Sequence, residues 1–300
     1  NSSLNFLRGV LIGIAEVIPG VSGGTLALIT GIYSRLLNNI DLLFKSLRNI
    51  SHPKIMARNL IALEWKFLLP VFIGMAIALI TTASFMEGLL ESNPIELRAV
   101  FAGLVAAGIY IPYKMSVKVN GDNWGLRDYL LALIGALAAF FLTGLPQGEV
   151  SNPGPILIFF SAAIAICALV LPGISGSFLL LTIGMYTPTI GALNDRDLQY
   201  LLMFALGALL GLASFVSLLK FLLNQRARPT LVLIAGLMLG SLRALWPWQS
   251  DDGELVSPYS SELSALLLCM AGALVVWGLT RVESKISHGP SFYSILNAFH

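Results

Sequence analysis

Apolar runs separated by short polar breaks fill almost the whole chain. Six of them, roughly 66–88, 98–113, 128–145, 198–220, 230–247 and 262–280, are long enough or nearly so to cross a hydrocarbon layer of about 30 Å as helices. The 98–113 run is the shortest and extends naturally toward Lys118. Four more, roughly 4–18, 22–37, 154–171 and 175–191, are shorter. At about 1.5 Å per residue most of these reach only ~20–27 Å. They fall into two pairs, one interrupted by Pro19-Gly20 and the other by Pro172-Gly173. Such pairs predict two re-entrant hairpins, because broken backbone survives at membrane depth only under protein or beside a wet cavity. Between the first hairpin and the first span, 38–65, Ile40, Leu43, Phe44 and Leu47 share one helical face while Lys45 and Arg48 lie elsewhere. That pattern fits an amphipathic helix on the cytoplasmic leaflet, and equally an ordinary basic loop.

The two interrupted segments are nearly the same sequence. AEVIPGVSGGTLALITGIY, from Ala15 to Tyr33, aligns without gaps with ALVLPGISGSFLLLTIGMY, from Ala168 to Tyr186, at an offset of 153. Pro19/Pro172, Gly20/Gly173, Ser22/Ser175, Gly23/Gly176, Gly31/Gly184 and Tyr33/Tyr186 are among the identities. The correspondence continues at offset 133, Gly74 with Gly207 and Gly103 with Gly236, the first copy carrying an extra loop. A duplicated apolar chain predicts a transporter of two repeats with its site where they meet. The expected architecture is an all-α polytopic membrane protein. Its first repeat covers 1–148 (hairpin 4–37, cytoplasmic loop 38–65, three spans) and its second 149–300 (hairpin 154–191, three spans). One hairpin plus three crossings is an odd number, so the second repeat is expected upside down.

Composition and charge sharpen this picture. The chain is 56% hydrophobic and 11% charged, about half the charged fraction of a soluble protein. The net charge of +2 says little, but its distribution says much. With the N-terminus in the cytoplasm, fifteen of the 18 Lys and Arg residues fall on inner segments. Only Arg98, Arg196 and Arg243 fall on outer ones. The positive-inside rule therefore predicts N-in and C-in. Glu87, Glu91, Glu96, Asp251, Asp252 and Glu254 make the outer loops acidic. Trp246, Trp248 and Tyr259 fit an outer aromatic belt; Trp65, Trp124 and Tyr129 fit an inner one. Cys167 and Cys269 sit in apolar runs and read as small buried hydrophobes. The segment Leu4–Ile18 runs straight into the first motif, with no cleavable signal peptide expected.

The chemistry is expected at the hairpin tips. Each tip is Pro-Gly-(Val/Ile)-Ser-Gly followed by a new helix, so Ser22 and Ser175 are natural N-caps. A helix N-terminus carries unpaired N–H groups and roughly half a positive charge, and two such ends facing each other suit an anion. Gly23, Gly24 and Gly176 permit close approach, and Ser22, Thr25, Ser175 and Ser177 offer hydroxyls. Glycines that only let two hairpins pack tightly are the simpler alternative. Glu16 is the one acidic residue well inside an apolar segment, three residues before the first break, and its repeat partner is Leu169. An ionisable group there is costly and points to coupling or gating, with a proton or sodium as the conceivable ion; capping of the break is the alternative. Arg243 and Arg98 are candidates to meet an anion, or to pair with Glu16, Arg243 at an apolar helix end being the better of the two, and snorkelling to the interface is the alternative for both. Gly207-x-x-x-Gly211 and Gly236-x-x-x-Gly240 have helix-packing spacing. His52, His288 and His300 lie in cytoplasmic segments, no metal-ligand spacing exists, and no nucleophile stands beside a base in a span. Hence no enzyme activity, metal, cofactor or nucleic-acid partner is expected.

The segment GVLIGIAEVIPGVSGGTLALITGIYSRL, Gly9 to Leu36, closely resembles the hallmark of the bacterial undecaprenyl phosphate translocase family. LPGISGSFLLLTIGMY and GLMLGSLRALWPW, at 236–248, are similar to it as well, so the resemblance covers nearly the whole chain. It implies a flippase returning undecaprenyl phosphate, a C55 lipid carrier, from the outer to the cytoplasmic leaflet of the bacterial inner membrane. There the carrier serves again in cell-wall and envelope polymer synthesis. On that resemblance Glu16, Pro19, Gly20, Ser22, Gly23, Gly24 and Thr25 match the first motif, and Pro172, Gly173, Ser175 and Gly176 the second. Ser177 and Phe178 replace Gly24 and Thr25 of the first copy, so the two tips are not equivalent. Without the family, the residues fit a secondary transporter of a small soluble anion as well as a lipid flippase.

Overall fold

The computed structural model describes residues 2–17, 22–48, 51–145, 148, 150–250, 254–259 and 261–286, with side chains at 17, 82–91, 194, 279–280 and 282–286 excluded. Among these residues helices joined by turns and loops are the regular secondary structure, and one isolated bridge links Gln249 and Leu255. Pro19 and Gly20 of the first tip, and Asp251, Asp252, His288 and His300, lie outside the described residues.

The first half contains α1 (Ser2–Val17), α2 (Gly23–Ile29), α3 (Tyr33–Arg48), α4 (Pro53–Ile61), α5 (Trp65–Ser92), α6 (Pro94–Gly108), α7 (Tyr110–Asn120) and α8 (Leu126–Leu142). The second contains α9 (Pro155–Val170), α10 (Gly176–Ile183), α11 (Tyr186–Asn194), α12 (Leu198–Gln225), α13 (Ala227–Ser241) with a 3-10 turn (Leu242–Leu245), and α14 (Glu262–Ile286). Among the described residues three stretches are long and apolar enough to cross a membrane: Pro94–Asn120, Leu198–Gln225 and Ala227–Leu245. The number rises to five if two bent helix pairs each count as one span. Large apolar side chains such as Ile80, Phe141, Ile156, Leu202 and Leu274 face outward, as they do where lipid rather than water is the solvent.

The expected return arms 22–37 and 175–191 are not single helices. Each breaks after two turns, at Gly31 and at Gly184, aligned positions with φ of +72° and +81°. The closing bonds are the same in both copies. Ile32 N–H donates to the Ala27 carbonyl at 3.0 Å and Met185 N–H to Leu180 at 2.8 Å. Gly31 N–H donates to Leu28 at 3.1 Å and Gly184 N–H to Leu181 at 3.0 Å. This paired 6→1 and 5→2 pattern ends a helix on a left-handed residue, which glycine adopts without a Cβ clash. The second pair, α10 and α11, bends by 106°.

Small residues set the long packing seams, and the contacts recur in pairs. A Cβ on Gly74 of α5 would strike the Phe6 carbonyl of α1, and one on Gly207 of α12 would strike Phe159 of α9. A Cβ on Gly103 of α6 would strike Cys269 of α14, and one on Gly236 of α13 would strike Ala132 of α8. Gly135 meets the Leu233 carbonyl and Gly272 meets Val100 in the same reciprocal way. Thus α6 of the first half seats on α14 of the second, while α8 of the first seats on α13 of the second. Gly211 adds Ala163, and Gly240 adds Ala136, so both Gly-x-x-x-Gly pairs pack one turn apart on a neighbouring helix. Gly207→Val forces α12 off the α9 backbone and should cost about 1–3 kcal/mol or more by overpacking. Gly278, with open space around it, should accept Ala without loss; thermal melts of the purified protein in detergent compare the two.

The 38–65 segment differs from expectation in how it is held. Leu37, Asp41 and Phe44 of α3 are buried, whereas Leu43 and Leu47 point outward. Asp41 accepts from Lys220 of α12 at 2.7 Å and pairs with Lys45 at 2.8 Å. The helix is therefore docked on the second half by an ion pair as well as by apolar contact. Burial alone would raise the Asp41 carboxyl, but Lys220 and Lys45 outweigh it and hold it below its ordinary value. A carboxyl that titrates lower when folded than unfolded stabilises the fold above about pH 4, and that contribution is lost as pH falls through the lowered value. Melting temperature should therefore fall more steeply below about pH 4 in wild type than in Asp41→Asn; parallel slopes would remove Asp41 from this account. Cys167 and Cys269 are half-buried rather than enclosed.

Candidate functional site

The two motif copies meet. Ser22 Oγ donates to the Leu171 carbonyl at 3.0 Å, and Gly173 N–H donates to Thr25 Oγ1 at 2.8 Å. Tyr33 OH donates to the Val170 carbonyl at 2.9 Å. Gly24 lies against the same strip, where a Cβ would come within 2.7 Å of the Val170 oxygen and 3.0 Å of Leu169. The chain can make these contacts because α9 ends at Val170 and Gly173, with φ of +96°, turns the backbone away. Gly173 in turn presses on α13, where a Cβ would lie 2.8 Å from Met238 Cα. Ser22, Thr25 and Ser175 are all buried.

The hydroxyls are used differently from the expectation that both serines cap. Ser175 does cap α10, its Oγ accepting from Phe178 N–H at 3.4 Å while sharing a 2.9 Å bond with Ser177 Oγ. Ser22 stands at the N-cap position of α2 but makes no capping bond, its hydroxyl being spent on the other tip. The cap of α2 comes from Glu16 instead, whose Oε1 accepts from Gly23 N–H at 2.8 Å. A carboxylate thus occupies the helix end where an external anion was expected, and a Cβ on Gly23 would meet that oxygen. The second tip has Leu169 at this position, and among the described residues no carboxylate caps α10.

Neither arginine pairs with Glu16. Arg243, in the 3-10 turn after α13, donates from Nη1 to the Thr143 carbonyl at the end of α8, at 2.8 Å. Its Cζ lies 5.2 Å from the centre of the Phe140 ring. Arg98 is half-buried near the start of α6, beside Tyr259. The candidate residues the structure brings together are therefore Glu16, Ser22, Gly23, Gly24 and Thr25 against Val170, Leu171 and Gly173. Ser175, Gly176 and Ser177 follow directly, and Arg243 stands five residues beyond Met238. Sequence reasoning missed Tyr33 as a tip contact, although the Tyr33/Tyr186 identity marked it. The two are unlike in place: Tyr33 is 5% exposed and Tyr186 38%. Thr143, Phe140 and Gln249 carried no signal in the sequence. Among the described residues no group of three His, Cys, Asp or Glu side chains is placed to hold a metal ion.

Buried helix ends inside an apolar helical bundle with three to five candidate spans among the described residues fit a multi-pass membrane protein. The chain matches the undecaprenyl phosphate translocase-like family over residues 12–263 and belongs to that family. It is 36% identical to a polyprenyl-phosphate transporter of Vibrio cholerae serotype O1 (strain ATCC 39315 / El Tor Inaba N16961), over 93% of this chain and 96% of that protein. It is 29% identical to a polyprenyl-phosphate transporter of Staphylococcus aureus (strain NCTC 8325 / PS 47), over 81% of this chain and 86% of that protein. No solved structure matches the chain.

Proposed function

We propose that this protein is a flippase that carries undecaprenyl phosphate from the outer to the cytoplasmic leaflet of the bacterial inner membrane, for reuse in cell-wall and envelope polymer synthesis. The observation that carries the reading is the direct bonding of one Pro-Gly tip to the other, through Ser22 with Leu171 and Thr25 with Gly173. A phosphate monoester bears about −1.5 to −2 charges and cannot cross hydrocarbon unaided. The tips offer it amide and hydroxyl donors in place of water, while the polyprenyl tail trails in lipid. Ser22, Gly23, Gly24, Thr25, Ser175, Gly176 and Ser177 form the headgroup site, Pro19, Gly20, Pro172 and Gly173 make the breaks, and Arg243 and Arg98 receive the headgroup. The headgroup takes over donors that the tips now share, and it competes with Glu16 for Gly23 N–H, which makes Glu16 the coupling or gating group.

The reading includes two inverted repeats, 1–148 and 149–300, with N-in and C-in orientation. The duplicated motif, the matched breaks at Gly31 and Gly184, and the reciprocal glycine contacts support it. The relatives' names support the lipid substrate and a transporter rather than an enzyme.

The test is reconstitution in vesicles with fluorescent decaprenyl monophosphate, read by quenching from outside, alongside uptake of radiolabelled inorganic phosphate. Loss of quenchable lipid to the inner leaflet, without uptake of soluble phosphate, is expected. Accumulation of the soluble anion with no lipid movement would make the protein a secondary anion transporter, and release of inorganic phosphate from the lipid would make it a phosphatase.

A further inference from the structure

The Arg243 side chain is held entirely by uncharged groups. Among the described residues the Thr143 carbonyl is its only hydrogen-bond partner, the Phe140 ring lies under it, and it makes no ion pair. A guanidinium stays charged at any physiological pH, and four of its five N–H groups remain for a planar, two-pronged grip on phosphate oxygens. Its position is set from two sides. Just past the end of α8, residue 144 is glycine, and a Cβ there would run into the guanidinium carbon and nitrogens. On the following loop, Gln249 Nε2 reaches back to the carbonyls of Arg243 at 3.1 Å, Ala244 at 3.1 Å and Trp246 at 3.0 Å. Arg243 and Ala244 belong to the 3-10 turn and Trp246 follows it; the Arg243 carbonyl also accepts from Trp246 N–H at 3.2 Å, so Gln249 adds a side-chain tie to the end of the turn. The loop that carries Gln249 is itself folded back. Trp246 Nε1 donates to Val256 at 3.0 Å, Val256 N–H donates to Trp248 at 3.0 Å, and Gln249 bridges to Leu255.

This bracket stands near the tips. Gly173 presses on Met238, and five residues of helix to Arg243 amount to on the order of 8 Å along the axis. An extended arginine side chain covers much of that distance.

We propose that Gln249 and Gly144 are positioning residues for the lipid phosphate, Gln249 by tying down the turn that bears Arg243 and Gly144 by leaving room for its guanidinium. The inference rests on the polyprenyl phosphate reading above. Neither residue touches the headgroup, so their effect passes through Arg243 alone.

The experiment measures rate against lipid concentration in vesicles with decaprenyl monophosphate. Wild type is compared with Gly144→Ala, Gln249→Ala, Arg243→Lys and Arg243→Ala, and the first two changes are repeated in the Arg243→Ala background. Gly144→Ala and Gln249→Ala should each raise the half-saturating lipid concentration about three- to tenfold with the maximal rate nearly kept, the signature of lost headgroup binding. Arg243→Lys should do the same, since a point charge lacks the fork. In the Arg243→Ala background neither change should add anything, whereas general damage to the fold would add in full. If Arg243→Ala raises half-saturation and the Gly144 and Gln249 changes do not, or if they add to it, the positioning role is overturned and the flippase reading stands. If Arg243→Ala itself leaves half-saturation unchanged, the inference falls together with the arginine's part in the site. Wild-type protein that fails to move the lipid overturns the reading on which both rest.

Discussion

Glu16→Gln should abolish lipid transport while leaving the protein as stable as wild type. The glutamine carbonyl can accept from Gly23 N–H as the carboxylate does at 2.8 Å, so the cap of α2 is retained and only the charge and the titratable proton are lost. Glu16→Ala should lose both, with an N-cap deletion cost of about 0.5–2 kcal/mol. The pair of variants separates two roles that share one oxygen. A coupling or gating carboxylate predicts a fall in transport of more than about tenfold for either change, equivalent to at least ~1.4 kcal/mol on the rate-limiting step. A carboxylate that only caps predicts near-normal transport for Glu16→Gln and a loss confined to Glu16→Ala. Initial rates in vesicles, with melting temperatures in detergent, decide between them.

The second large effect is expected where the tips touch. Gly24→Ala drives a Cβ to 2.7 Å from the Val170 oxygen and 3.0 Å from Leu169, and both are backbone atoms that cannot swing aside. The tips must part, and the Ser22–Leu171 and Thr25–Gly173 bonds go with them. Thr25→Val, nearly the same shape, leaves the Gly173 N–H buried without its acceptor, a cost of about 1–3 kcal/mol. Thr25→Ser restores the hydroxyl and should restore most of the function. Transport should fall more than about tenfold for Gly24→Ala and Thr25→Val and recover in Thr25→Ser. Equal activity for Thr25→Val and wild type would show that tip contact is packing and nothing more. The contrast with Gly23 is instructive, because a Cβ there meets the end of the Glu16 side chain, which can move.

Several elements were legible from residues alone for plain physical reasons. Long apolar runs in a chain with 11% charge leave helices as the way to satisfy backbone groups in lipid. The 153-residue offset between the motifs announced that the same broken hairpin occurs twice. Gly31 and Gly184 were visible as identities, yet their effect was not. Whether a glycine continues a helix or stops it in the left-handed region depends on whether the carbonyls behind it find the 6→1 partner, and both here do. The burial of Asp41 was likewise hidden, since its partner Lys220 lies 179 residues away.

The residue types at the tips, Pro-Gly for the break, Ser and Thr for hydroxyls, one carboxylate in one copy, follow from the sequence by itself, as does membrane residence. Local chemistry suffices for these, because a proline break and an apolar run act wherever they stand. Which hydroxyl caps its own helix and which crosses to the opposite tip was decided only by the fold. So was the placing of Glu16 on Gly23 and of Arg243 on Thr143. A hydrogen bond is settled by the positions of two atoms within about 3 Å, and for groups some 150 residues apart only packing brings them that close.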